Sequence, residues 1–422
     1  MQKTLPADEV SALAIARHRR YVSRGRAALA QVLGSGVEIR SHGATVWAAD
    51  GREFLNCGGY GTFLHGATHP QVVRAVVEQA RKHPLSTRLL LDPLASEAAE
   101  ALLRISPPGM ERVHFVLSGA DATETAIKIA RTLGKHHLVT THGGFHGKSM
   151  GALSLTARDM YQAPFRPLLP DVTTIPFGDA RALERTLEEH PGTSCLFVEP
   201  VQGENGVRLP PDGYLAEAAS LCRSHGALLV LDEVLTGLGR TGRWWGADRD
   251  RVTPDVMLVA KGLSGGVVPV GAVVCRQEVY EAFDKDPYLH TSTFAASPLA
   301  MAAAKAAIEV AEHESFPERS ARLGPMIQLA LTEACRSRCP HLVVEVRGEG
   351  LLWGIEFVSP DVTADAVLEL LHRGVLVNHS FNSSETLRLT PPALLTDDEL
   401  AQLLRAWEES LDALTERYPA RG

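Results

Sequence analysis

The chain has 422 residues, 45% apolar and 22% charged, with a net charge of −8. That length holds two domains or one large domain with a satellite. The acidic balance, with a pI near 6.1, argues against a nucleic-acid or anionic-membrane binder, which carries a basic excess. No apolar run approaches a membrane span, and the first twenty residues lack a long apolar core, so neither a membrane segment nor a secretory signal is expected. Six scattered cysteines, with only Cys335 and Cys339 close together, predict reduced thiols in a cytoplasmic protein and no zinc site.

Residues 5–33 carry helical patterning. Short strands are predicted at 37–40, 45–48 and 53–56, with Asp50-Gly51 as a hairpin turn. Residues 57–70, CGGYGTFLHGATHP, form a glycine-rich loop. It is either a plain connector or a loop whose backbone approaches a ligand. Helices over 71–82 and 96–104 follow. The apolar run 113–117 leads into Ser118-Gly119-Ala120-Asp121 and a helix over 122–133. Strand, small-residue turn and helix start make a phosphate cradle; a capped helix gives the same pattern. A strand at 138–141 precedes His142-Gly143-Gly144-Phe145-His146. The glycines argue against a helical zinc pair, and Phe145 and His146 either stack on a flat ring or serve as core and surface.

The run 195–198 ends on Glu199, 228–231 on Asp232 and Glu233, and 256–260 on Lys261. Strand and helix alternate across 113–262, which predicts an open α/β sheet with helices on both faces. In such a sheet, ligands sit outside the carboxyl ends of the strands. Ser118, Glu199, Asp232 and Lys261 would then share one rim. An acid pair after a strand also suits a helix N-terminus, and a lysine there suits a solvated loop. Together, a lysine and an acid at matching strand ends provide what Schiff-base chemistry on an aldehyde cofactor requires. Residues 237–242 spell G-x-G-x-x-G, but Asp232–Thr236 separate the strand from the turn and no helix follows, so a dinucleotide site is not expected.

A polar loop at 288–298 precedes an alanine-rich helix over 299–312. Beyond about 316, helices at 320–337, 364–373 and 397–417 with strands at 342–346, 351–357 and 387–390 suit a separate α+β domain. No internal repeat is present.

Several motifs resemble those of class III pyridoxal-phosphate aminotransferases, in that family's order and spacing. They are Phe145-His146-Gly147-Lys148-Ser149, Glu199-Pro200-Val201-Gln202-Gly203-Glu204, Asp232-Glu233-Val234, Gly239-Arg240-Thr241-Gly242 and Lys261-Gly262-Leu263. Within the family, GGFHGKS, PFRPLLP, HTSTF and LRLTPP are most similar to putrescine and other diamine enzymes, with ornithine-type enzymes close behind. The resemblance implies a fold-type-I homodimer with shared sites. It implies an N-terminal segment of a small domain (1–60), a large cofactor-binding domain (61–315) and the C-terminal part of the small domain (316–422). Lys261 would be the Schiff-base lysine and proton carrier, and Asp232 the partner of the pyridine nitrogen. Val234 and Phe145 would pack the two ring faces, with His146 and Glu199 beside the cofactor. Ser118, Gly119 and Ala120 would hold the phosphate, joined by Thr293 of the partner subunit. Arg388 would bind a carboxylate, Glu204 would neutralise Arg388, and Tyr60 would contact substrate. The implied partners are an amine donor and a 2-oxo acid acceptor, with no metal.

Three positions depart from the family. Leu235 stands where a glutamine is common, Asn205 replaces a glycine, and Ala295-Ala296-Ser297-Pro298 replaces Gly-Gly-Asn-Pro. The expected activity is transfer of an amino group from a terminal amine to a 2-oxo acid, or the reverse amination of an aldehyde or ketone. An aminomutase or decarboxylase of the same fold, a nicotinamide-dependent oxidoreductase and a non-catalytic cofactor-binding protein are the alternatives.

Overall fold

The computed structural model describes residues 7–34 and 36–420. Residues 5 and 6 of the first predicted helix lie outside that range. What remains of it is interrupted: helices Ala7–Arg17 and Arg24–Val32 flank a π-turn at His18–Val22. The break falls at Ser23, which is extended and whose hydroxyl accepts from the Arg26 N–H at 3.2 Å, capping the second helix. A hairpin ribbon follows, of strands β1 (Glu38–His42), β2 (Thr45–Ala48) and β3 (Glu53–Asn56). Gly51, at φ 86°, makes the expected turn between β2 and β3.

The central sheet has seven strands: β4 (Arg112–Val116), β5 (His137–Thr141), β6 (Val172–Ile175), β7 (Ser194–Val198), β8 (Leu228–Asp232), β9 (Val256–Val259) and β10 (Gly271–Cys275). Their order is β4-β10-β9-β8-β7-β5-β6. Only β10 is reversed, antiparallel to both β4 and β9. The sequence patterning missed β6, β10 and the helix Ala180–Glu189.

Strands β7, β8 and β9 read as unbroken apolar runs because both faces are covered. Leu196, Val198, Leu229, Leu231, Met257 and Val259 face one core, while Cys195, Phe197, Leu228, Val230, Val256 and Leu258 face the other. The alanine-rich helix Pro298–His313 buries most of its residues against helices Pro70–Lys82 and Pro93–Arg104; its small side chains allow that close approach. A third sheet holds β11 (Val343–Glu349), β12 (Leu352–Phe357), β14 (Asn378–His379) and β15 (Thr386–Leu389). Between β12 and β14, the short strand β13 (Val375–Leu376) leaves this sheet to pair with β3. The two chain ends are thereby joined in one sheet.

The G-x-G-x-x-G run is a packing device. The backbone at Gly239 (φ 97°) and Gly242 (φ 88°) lies against helix Phe316–Arg338, where a Cβ would meet Phe316 at 2.8 Å and Ala321 at 3.2 Å. None of these glycines lines the main cavity.

The acid pair after β8 divides its work. Glu233 is buried and turns from the cavity, accepting from the N–H groups of Gly246 (2.9 Å) and Ala247 (2.8 Å) and from the Thr236 hydroxyl. Burial pushes its carboxyl up from the ordinary 4.5 to about 7, against those donors. Between these values the folded chain keeps a proton that the unfolded chain releases, so stability falls as pH rises through about 7. Glu233→Gln keeps an acceptor oxygen and removes the titration. Calorimetry from about pH 5 to about pH 8 should show the wild-type Tm falling relative to this variant.

Candidate active site

A cavity of about 540 Å³ opens at the carboxyl rim of the central sheet. Ser118, Gly119, Ala120, Phe145, His146, Glu199, Glu204, Asp232, Val234 and Lys261 all line it. The four strand ends that the apolar runs pointed to do converge on one rim.

Asp232 ends β8 and is buried. One carboxylate oxygen accepts from the His146 ring N–H at 2.7 Å and the other from the Val234 N–H at 3.1 Å. Burial alone would lower the His146 pKa; the hydrogen bond and charge of Asp232, with Glu199 nearby, outweigh it and raise it. The second ring nitrogen, Nε2, is buried without a partner among the described residues. His146 therefore supports Asp232, and Phe145 lines the cavity beside it.

Lys261 follows β9, the neighbour of β8. Its backbone is left-handed at φ 48°, a costly conformation for a residue with a side chain and one that concentrates at functional sites. Burial is the main influence on its amine and lowers its pKa; Arg388 adds to the lowering, and Glu204, Asp232 and Glu199 oppose it. Glu199 is itself pushed up to about 7, chiefly by burial, while accepting from the Phe145 N–H at 2.9 Å.

The cradle is also a capped helix. Helix Gly119–Thr132 starts at Ser118, whose hydroxyl accepts from the Asp121 N–H at 3.2 Å. Its N-terminal end opens on the cavity through Ser118, Gly119 and Ala120, where backbone N–H groups and the helix dipole favour an anion. The glycine-rich loop contributes Thr62 to the wall.

Three predicted residues lie outside the cavity lining. Tyr60 is 47% exposed, stacks on Phe381 with centroids 5.5 Å apart, and lines a neighbouring cavity of about 690 Å³ beside the N-terminal helices. Thr293 is on an exposed loop, where its carbonyl accepts from Arg88 at 3.1 Å. Arg388, on β15, is 1% exposed and reaches the site through Glu204, to which its Nη1 donates at 2.5 Å; its Nε and Nη2 are buried without partners. Among the described residues, no group of three or more His, Cys, Asp or Glu could hold a metal ion, and no helix is long and apolar enough to cross a membrane. The six cysteines are buried and unpaired.

Sequence reasoning missed Leu117, Ser264, Gly266 and the run 267–270 as cavity wall. The Gly265-Gly266 pair was the available signal. Leu235 also faces the cavity, wedged where a Cβ on Gly203 would lie 1.9 Å from its Cδ2 and one on Gly61 would lie 2.4 Å from its Cδ1.

A strained, half-buried lysine beside a supported carboxylate, near a helix end open to an anion, matches the requirements of pyridoxal phosphate: an amine for its aldehyde, an acid for its ring nitrogen and donors for its phosphate. The fold and cavity together define a fold-type-I pyridoxal-phosphate enzyme. The profile of the aminotransferase class-III family matches residues 35–411, and the chain belongs to that family; it is a pyridoxal-phosphate-dependent transaminase. The chain is similar to the ornithine aminotransferase of Toxoplasma gondii, in a structure with partial occupancy of that cofactor (32% identity, TM-score 0.88, 95% of this chain and 94% of that one). It is also similar to a thermostable (S)-enantioselective omega-transaminase from Thermomicrobium roseum (28% identity, TM-score 0.89, 98% and 100%). Another similar structure is the acetylornithine aminotransferase of Elizabethkingia anophelis (29% identity, TM-score 0.78, 89% and 94%).

Gly147 lies behind the cradle at φ 121°, where a Cβ would come within 2.7 Å of the Ala120 Cβ and 2.9 Å of its Cα. Gly147→Ala should therefore push the helix start into the cavity. We expect pyridoxal-phosphate affinity to fall about tenfold or more, read by fluorescence titration, with the circular dichroism of the fold retained.

Proposed function

We propose that the protein moves the amino group of a terminal amine, either a diamine, an ornithine-like compound or a larger amine, to a 2-oxo acid, and in reverse aminates an aldehyde or ketone. The observation that carries this reading is the placement of Lys261 and Asp232 on adjacent strand ends in one cavity. Bound pyridoxal phosphate supplies an electrophilic carbon and a ring that accepts an electron pair.

Lys261 would hold the cofactor covalently through its amine. Burial favours the neutral, nucleophilic form of that amine. The same nitrogen would be placed to take the proton from the substrate carbon and return it at the next position. Asp232 holds a proton on the pyridine nitrogen, and His146 keeps the carboxylate aimed there. Phe145, Val234 and Glu199 line the cavity, where the first two would pack the ring faces and Glu199 would stand beside the ring. The N–H groups of Gly119 and Ala120 hold the phosphate with the Ser118 hydroxyl.

Thr293 of the partner subunit completes the phosphate site in a homodimer. Support comes from the exposed loop that carries it, and from Leu89, Leu90 and Leu91, which lie fully or largely exposed on the segment of Arg88. Arg388 receives the carboxylate of the acceptor as a planar fork. Glu204 neutralises that fork when a donor without a carboxylate is bound, and Tyr60 meets the far end of the donor. The buried thiols are compatible with a reducing compartment such as the cytoplasm.

The test is a visible spectrum of the protein with pyridoxal phosphate. The wild type should show an absorption band that Lys261→Ala lacks, that putrescine or ornithine bleaches and that 2-oxoglutarate restores. Lys261→Ala should lose turnover by at least about a thousandfold. A Lys261-dependent band that no diamine, ornithine or larger amine bleaches would overturn the substrate reading.

A further inference from the structure

Arg388 and Glu204 come from distant parts of the chain, and a third segment touches them both. Glu204 offers one carboxylate oxygen to Arg388 and the other to the backbone N–H of Phe381, at 3.1 Å. The Glu204 carbonyl accepts from the Asn382 N–H at 2.8 Å. The hydroxyl of Ser380 reaches the Gly203 carbonyl at 3.4 Å.

The segment 380–382 is tied to further loops of the site. The Asn382 side chain donates to the Gly143 carbonyl at 2.9 Å, and the Tyr161 hydroxyl donates to the Phe381 carbonyl at 3.0 Å. The Phe381 ring lies between the stacked Tyr60 ring and the Lys148 ammonium, 5.0 Å from its centroid. Such a density of bonds on three consecutive residues fixes their backbone. Arg388, in contrast, keeps Nε and Nη2 buried and without partners among the described residues. Glu204 holds the Nη1 end, so a carboxylate that takes the arginine through both Nη atoms displaces Glu204, and Glu204 then gives up the Phe381 N–H as well.

We propose that residues 380–382 act as a strap that holds Glu204 on Arg388, with Phe381 as a positioning residue whose backbone N–H sets how readily the acceptor's carboxylate gains the arginine. This rests on the reading of Arg388 given above. The strap biases the resting site toward donors that present no carboxylate, and makes the acceptor half-reaction the one limited by displacement of Glu204. A hydrogen bond to a charged acceptor has the net strength to shift that balance about tenfold.

The experiment follows the acceptor half-reaction alone, with holoenzyme loaded with pyridoxamine phosphate and 2-oxoglutarate varied in stopped flow. Phe381→Pro removes the N–H and should lower the apparent dissociation constant for 2-oxoglutarate about three- to tenfold. Tyr161→Phe removes only the tether on the Phe381 carbonyl and should shift the constant in the same direction by less, which also covers a proline variant that fails to fold. Phe381→Ala keeps the N–H and should shift it less than Phe381→Pro. Equal shifts for the alanine and proline variants would assign the effect to the ring and overturn the proposal. So would a constant that rises or stays fixed in both Phe381→Pro and Tyr161→Phe. Arg388→Gln separates the two readings. It should raise the constant at least tenfold, and if it does not, the assignment of Arg388 itself fails.

Discussion

The structure depends on placing a carboxylate, Asp232, at the end of a buried strand with hydrogen-bond donors aimed at it. Removing a charge from water without a partner is costly. Here the partners are the His146 ring and one backbone N–H, and His146 is itself buried, so its charge is supported only by the acids it faces. The pair is possible because β8 lies inside the sheet with helices on both faces, which excludes water and fixes the direction of the strand end. Lys261, on the next strand, feels the same exclusion with the opposite consequence: its charge is disfavoured and its amine made reactive. One dry rim thus aims hydrogen-bond donors at an acid and lowers the pKa of a base, because burial dominates at the second.

Much of this was legible in the sequence, for a local reason. A strand buried on both faces is an apolar run, and the polar residue that ends it stands out: Ser118, Glu199, Asp232 and Lys261 were each readable within a few residues. What could not be read depends on distance along the chain. The Glu204–Arg388 pair joins a loop to strand β15 far along the chain and came only from the family resemblance, and the contact of Phe381 with Glu204 has no local pattern. Strand β10 was missed altogether, and apolar periodicity does not encode the reversed direction that sets it apart. The division of Asp232 and Glu233 was equally hidden. Adjacent acids on a strand point to opposite sides, and only the fold decides which side holds a cavity and which holds the backbone of Gly246 and Ala247.

The glycine run that imitates a nucleotide motif has a different job, centred on Arg240. Its guanidinium is fully buried and donates to the carbonyls of Leu351, Pro391 and Gly61, with no carboxylate among those partners. Burial, with the nearby charge of Arg388, pushes its pKa down to about 9. The three carbonyls belong to the turn between β11 and β12, the exit of β15 and the glycine-rich loop. One side chain therefore rivets the sheet that carries Arg388 to the loop that carries Tyr60.

Leu235 has a consequence for how this site can change. Its two methyl groups occupy the space that side chains at Gly61 and Gly203 would need. These positions lie on three separate segments, yet they share one volume. A smaller residue at 235 would make room for a side chain at 203, whereas at 61 the left-handed backbone (φ 75°) would still strain one, and a larger residue at 235 would have to extend into the cavity. Redesign of this wall, in the laboratory or by descent, must treat the three positions as a single variable.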